Sequence, residues 1–185
     1  MNEILEIIYN RRSIRNYKTQ QISGDDIKAI LKAACYAPSA RNQQNWHFSV
    51  IQNPALLSKL KRILKENMRD FGPDAMRQRA SDATFDPFFH APTLVIISGD
   101  TNDKVVAISC GAAAQNLMLA AESLKISSCI MTSPNLLFKK DEDNTLKKEL
   151  GFPEGYQFQC AITLGYREGE KPTAAPRKED VITYL

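Results

Sequence analysis

The chain has 185 residues, with 24 Lys and Arg against 21 Asp and Glu, a net charge of +3 and 43% hydrophobic residues. That size and balance fit one globular domain spanning 1–185 and give no electrostatic case for a nucleic-acid partner. The longest apolar runs, such as Leu94 to Ile97, fall far short of the roughly 18 residues of a membrane span, and the acidic segment from Met1 to Glu6 lacks a signal-peptide pattern; a cytoplasmic protein without membrane contact is expected.

Ile4, Leu5, Ile7 and Ile8 mark a short helix ending near Asn10. A second helix starts at the capping-box-like Ser23-Gly24-Asp25-Asp26, carries Ile27, Ile30, Leu31, Ala34 and Cys35 on one face, and is stopped by Pro38. Trp46, Phe48 and Val50 alternate with His47, Ser49 and Ile51 as a strand. Asn53-Pro54 then turns into a helix bearing Leu56, Leu57, Leu60, Ile63 and Leu64, whose basic residues Lys59, Lys61, Arg62 and Lys65 read as its solvated face. Over 68–91, Gly72, Pro73 and Pro87 break any period while Phe85, Phe88 and Phe89 add apolar mass, which predicts a partly mobile lid.

Thr93 to Ser98 is an almost continuous apolar run, the mark of a strand covered on both faces. A long helix from about Asp103 to Lys125 is rich in alanine, serine and glycine, and such a helix belongs at a centre or an interface. Ile126 to Met131 reads as a strand, and Asp143 to Leu150 as a helix closed by Gly151. Tyr156, Phe158, Cys160, Ile162 and Leu164 alternate as a further strand, the fourth. The polar tail from Arg167 retains Val181, Ile182, Tyr184 and Leu185, enough to dock against the body or a partner.

Cys35, Cys110, Cys129 and Cys160 form no CxxC pair and sit among apolar neighbours, which predicts buried reduced thiols. His47 and His90 have no partner at metal-ligand spacing, and no metal site is expected. Two clusters carry more polar capacity than their surroundings require. Arg11-Arg12-Ser13-Ile14-Arg15 sets three guanidiniums and a hydroxyl at a helix end, which is either an anion site or a solvated basic turn. The segment Ala37 to Trp46 holds four amides, a serine and an arginine, suited to the edge of a heterocycle or to holding a polar loop together.

With their surroundings, these clusters resemble the FMN-dependent nitroreductase family. The resemblance runs collinearly through RRSIRNY, APSARNQQNWHF, APTLVIIS, GAAAQNLMLAAESLKI, SSCIMTSP, ITLGYREGEKP and a PRK tail. It implies an α+β fold with a central mixed, mainly antiparallel sheet flanked by helices. It also implies an intertwined homodimer whose C-terminal tails, 167–185, are exchanged, with FMN sites at the interface. Carried over by position, Arg11, Arg12 and Ser13 hold the FMN phosphate, Arg177 completes that site, and Arg15 lies near the N1/O2 edge of the ring. Pro38, Ser39, Asn42 and Gln44 match loop positions that reach the FMN of the other subunit. Thr132 and Ser133 fall where the family presents a backbone N–H toward flavin N5. Many relatives have glycines at those two positions and a tryptophan at Ile130, which puts the local φ angles in question. Asn45 replaces a common proline and is expected to loosen its loop without removing a contact.

The resemblance implies an oxidoreductase that takes hydride from NADH or NADPH onto FMN and reduces a small acceptor, such as a nitroaromatic or a quinone, by a ping-pong route. No catalytic side chain is expected, because the cofactor carries the chemistry and Arg15 acts as an electrostatic stabiliser. Reductive dehalogenation or flavin fragmentation on the same fold, and a non-enzymatic FMN-binding or storage protein, are the alternatives.

Overall fold

The structure, a computed structural model, describes residues 2–185. Helices α1 (Glu3–Asn10) and α2 (Gly24–Cys35) precede strand β1 (Trp46–Ile51), followed by α3 (Pro54–Phe71), α4 (Asp74–Ser81) and β2 (Thr93–Asp100). Helix α5 (Val106–Ser123) leads to β3 (Ser127–Met131), then α6 (Thr145–Glu149) and β4 (Tyr156–Gly165), with short 3-10 turns at Ala40–Asn42 and Ser133–Phe138. The strands form one sheet in the order β1-β2-β4-β3, antiparallel at every pairing. Among the described residues, the one parallel pairing is an isolated bridge between Ser13 and Ser128.

Helix ends follow local chemistry. Asn2 Oδ1 accepts from Ile4 N at 2.9 Å to start α1, and Ser23 Oγ accepts from Asp26 N at 3.0 Å to start α2. Asn53 Oδ1 takes the free N–H groups of Ala55 and Leu56 ahead of α3, where Pro54 costs nothing because its N–H is not needed. The turn into α5 is held from outside the helix: Asp103 Oδ1 accepts from Val105 N at 3.0 Å, so the helix proper begins later than its composition suggests.

Both faces of the sheet are covered, and the period-two alternation divides each strand between two cores. Trp46, Val95, Ile97, Cys160, Ile162 and Leu164 pack against α2 and α5 on one side. Ile51, Leu94, Ile96 and Ala161 pack on the other side against Leu60 and Leu64 of α3 and Leu137 beyond β3. A continuous apolar run such as Leu94 to Ile97 is more typical of parallel sheets, but two covered faces impose the same demand on an antiparallel strand. On β1, an edge strand, Val50 is 37% exposed while Ser49 is buried and donates to Leu150 O at 2.5 Å. Gly99 allows the end of β2 to meet the start of α5, since a Cβ there would stand 2.4 Å from Val106 Cγ2.

Helix α5 buries Ala113, Ala114, Leu117 and Ala121 completely, but its outer side leaves Ile108 75% exposed. Ile4 at 65% and Tyr9 at 59% are likewise exposed on α1, which has no buried residue at all. Residues 68–91 are more regular than their prolines suggest. Helix α3 runs unbroken to Phe71, Gly72-Pro73 makes a turn, and α4 folds back along α3. The following turns are pinned by Asp82 Oδ1 to Thr84 N, Asp86 Oδ1 to Phe88 N and a 2.5 Å Lys61–Asp86 ion pair, with Phe88 fully buried. Cys110, Cys129 and Cys160 are buried, whereas Cys35, the last residue of α2, is exposed, contrary to its apolar spacing. Past Lys171, which pairs with Glu122, residues 172–185 are exposed in the single chain. No helix among the described residues is long and apolar enough to cross a membrane.

Candidate functional site

The segment following α1 is laced to the sheet edge. Ile14 N donates to Ser128 O at 3.0 Å and Lys18 N to Tyr166 O at 2.8 Å, while Ile14 and Tyr17 bury their side chains with Ala91. The Tyr17 hydroxyl lies 2.9 Å from Thr163 Oγ1, and burial pushes its pKa up, so it serves as a neutral anchor. With these two side chains turned inward, Arg11, Arg12 and Ser13 are half-buried and Arg15 is exposed.

Arg12 Nη1 donates to Tyr9 O at 2.6 Å and Arg11 O at 2.8 Å, which pins the guanidinium over its own backbone. Arg11 Nη1 and Arg12 Nε, in contrast, are buried with no hydrogen-bond partner. Leaving a buried donor unsatisfied costs about 1–3 kcal/mol, and more when the group is charged. Two such nitrogens, on the two residues that precede Ser13, are unmet donors of the kind that the several oxygens of one anionic centre satisfy. The residues present therefore fit a phosphate. Cys129 lies close to the Ser13 and Arg15 side chains, and burial pushes its thiol up against their smaller opposing effects.

The second cluster forms a separate, strained loop. Ser39 Oγ accepts from Gln44 N at 3.0 Å, and Gln44 Nε2 donates to Asn42 Oδ1 at 3.1 Å. Arg41, Asn42 and Gln44 have φ of 54°, 55° and 50°, left-handed values that cost roughly 1–2 kcal/mol per non-glycine residue. Pro38, Asn42 and Gln44 are exposed and Ser39 half-buried. Asn45 departs from expectation: its Nδ2 donates to Asp103 Oδ2 at 2.8 Å, and its carbonyl accepts from Asp100 N, so it fastens the loop to the α5 entrance. No hydrogen bond or ion pair among the described residues joins this loop to Arg11, Arg12, Ser13 or Arg15 within one chain. Arg177 is also apart, donating only to Ala175 O at 3.2 Å.

Thr132 and Ser133 stand at the end of β3. Thr132 has φ −109° and neither residue is left-handed, so both positions accept side chains without strain. Ser133 lines a hollow of about 220 Å³ with Met68, Met76, Phe85, Phe89 and Met131. An adjoining hollow of about 360 Å³ is lined by Arg15, Asn16, Asp86 and His90, and Arg79, Phe85 and Phe89 face both. The 68–91 segment thus walls the space between Arg15 and Ser133. Its own turn is strained there, with Phe89 and His90 at φ 59° and 63°. The three phenylalanines are visible as apolar mass in the sequence, but no spacing distinguishes Arg79. Among the described residues, no group of three His, Cys, Asp or Glu side chains is placed to hold a metal ion.

Residues 8–166 match the profile of the Nitroreductase family. A protein of Archaeoglobus fulgidus named as a NADH dehydrogenase/NAD(P)H nitroreductase is 35% identical over 177 residues, covering 92% of this chain and 89% of its own. A crystal structure of a nitroreductase with bound FMN from Bacteroides fragilis superposes with a TM-score of 0.92 at 34% identity, covering 100% of both chains. A second, from Desulfitobacterium hafniense and also with bound FMN, gives a TM-score of 0.92 at 32% identity, over 100% of this chain and 99% of its own. Sequence profile, curated relative and whole-chain superposition agree, and the chain belongs to the nitroreductase family.

Proposed function

We propose that this protein is an FMN-dependent oxidoreductase that takes hydride from NADH or NADPH and reduces a small acceptor such as a nitroaromatic or a quinone. The observation that carries this reading is the pair of buried, unpartnered guanidinium nitrogens, Arg11 Nη1 and Arg12 Nε, beside Ser13. FMN supplies the two-electron chemistry when bound. Arg11, Arg12 and Ser13 hold its phosphate, and Arg15 sets a positive charge against the negative charge that reduction builds at the N1/O2 edge. The backbone at Thr132 and Ser133 offers N–H donors on the other side of the hollow.

Pro38, Ser39, Asn42 and Gln44 complete the site from a second subunit, and the tail carries Arg177 to it. Support for this homodimer comes from the exposed apolar residues Ile4, Ile8 and Ile108 on α1 and α5, and from Val181, Ile182 and Tyr184 of the tail. A loop strained at three left-handed residues, with Asn42 and Gln44 exposed, suits a contact made across subunits. Each NAD(P)H gives up two electrons and one proton, and solvent gives a second proton. A nitro group then becomes a nitroso group plus water, and a quinone becomes a hydroquinone. Donor and acceptor use the same open hollow in turn, which calls for ping-pong kinetics.

The test is the absorption spectrum of the purified protein, followed by anaerobic mixing with each nicotinamide. A yellow protein whose flavin band bleaches with NADH or NADPH is expected. A protein that cannot be loaded with FMN overturns the reading, and one whose flavin stays oxidised under both nicotinamides is a binder rather than a reductase.

A further inference from the structure

We infer that the acceptor pocket selects a monocyclic aromatic acid, with the ring in the methionine- and phenylalanine-lined hollow and the carboxylate on Arg79; this rests on the reductase reading above. The hollow beside Ser133 measures about 220 Å³, below the roughly 300–1,000 Å³ that hold drug-sized ligands, and suits a single ring. Its walls, including Met68, Met76, Phe85, Phe89 and Met131, offer thioethers and ring faces, and Arg79 is the one charged residue that lines it. Arg79 is the cation that faces both this hollow and the one containing Arg15.

The guanidinium of Arg79 lies 4.9 Å from the centroid of the Phe85 ring. A contact to a ring centroid uses none of the five N–H donors of a guanidinium, and these match a carboxylate in bidentate fashion. No carboxylate among the described residues is paired with Arg79. Asp86 is held by Lys61 at 2.5 Å and by His90 at 3.3 Å. Asp82 accepts from Thr84 N and Oγ1, both at 2.8 Å, with Lys65 close by. The acids around the mouth are occupied, and Arg79 has no ion-pair partner among the described residues. A neutral ring entering this hollow would leave that guanidinium unused, whereas a ring carrying an acid would pair it. A charge-assisted pair of this kind is worth roughly a ten- to hundred-fold preference.

The experiment compares 4-nitrobenzoate with 4-nitrobenzamide as acceptors for the FMN-loaded protein with NADH as donor. The two are nearly isosteric, and the amide is the more electron-withdrawing substituent, so a preference for the acid comes from recognition and not from ease of reduction. The ratio of their kcat/KM values is expected to be at least ten in favour of the acid, to fall toward one in Arg79→Gln, and to be partly restored in Arg79→Lys. Because it is a ratio within one protein, it is insensitive to partial loss of folded enzyme. Calorimetric binding of benzoate against benzamide to the oxidised holoprotein gives the same comparison without turnover. A wild-type ratio at or below one, or a ratio unchanged in Arg79→Gln, overturns the assignment while leaving the reductase reading intact. Benzoate binding that depends on Arg79, in a protein that reduces neither acceptor, supports the recognition site and removes the reductase reading instead.

Discussion

Replacing Arg11 by Met separates two roles that one guanidinium otherwise combines. Arg11 Nη1 is buried with no partner among the described residues, and methionine keeps most of the apolar stem while removing that unpaired donor. Removing an unsatisfied buried donor relieves about 1–3 kcal/mol, so the apoprotein is expected to hold or gain thermal stability. On the proposal that Arg11 holds the FMN phosphate, the same change removes a charge-assisted bond of about 1.5–3 kcal/mol. FMN affinity is then expected to fall roughly ten- to hundred-fold. Riboflavin lacks the phosphate, and its affinity should be unchanged. Quenching of flavin fluorescence measures both dissociation constants, and thermal melts with and without FMN measure the fold. An equal loss for riboflavin and FMN, or a destabilised apoprotein with unaltered FMN affinity, would refute the assignment of Arg11 to the phosphate.

Phe88→Ala empties a fully buried site beneath the 68–91 turns and should cost about 3–5 kcal/mol in a urea melt, with hydrogen exchange rising first over that segment; a loss under about 1 kcal/mol would mean the turns do not depend on it. Ile108→Glu places a charge on the exposed side of α5 and is expected to give a monomer in sedimentation that has lost FMN binding, whereas a flavin-loaded dimer would remove this face from the proposed interface. The Asp103 carboxyl is held below the usual carboxylate range, first by the Val105 N–H and then by Asn45. Its contribution to stability is complete above the ordinary pKa of about 4 and is lost as pH falls through the lowered folded value. Asp103→Asn should therefore flatten the acid limb of a urea-midpoint profile, and parallel profiles for the two proteins would contradict this role.

Much of the fold is written in local chemistry and is legible in the sequence. Ile27, Ile30 and Ala34 recur at helical spacing and all three are buried on α2, whose start is capped by Ser23. Leu94 to Ile97 marks a strand with both faces covered, because side chains pointing in opposite directions meet two different cores. Arg11, Arg12 and Ser13 stand out because they are contiguous, so one segment brings the donors together whatever the rest of the chain does. Residues 68–91 are opaque in the sequence because Gly72-Pro73 interrupts the period between two helices that meet only through α3 packing against α4. Asn45 reads as a loosened proline site, since its bond to Asp103 joins residues distant along the chain. The exposure of Cys35 and the convergence of Arg15, Arg79 and Ser133 on adjoining hollows are likewise tertiary results. Spacing along a chain reports which face of its own helix or strand a residue occupies, but only packing decides which other element that face meets.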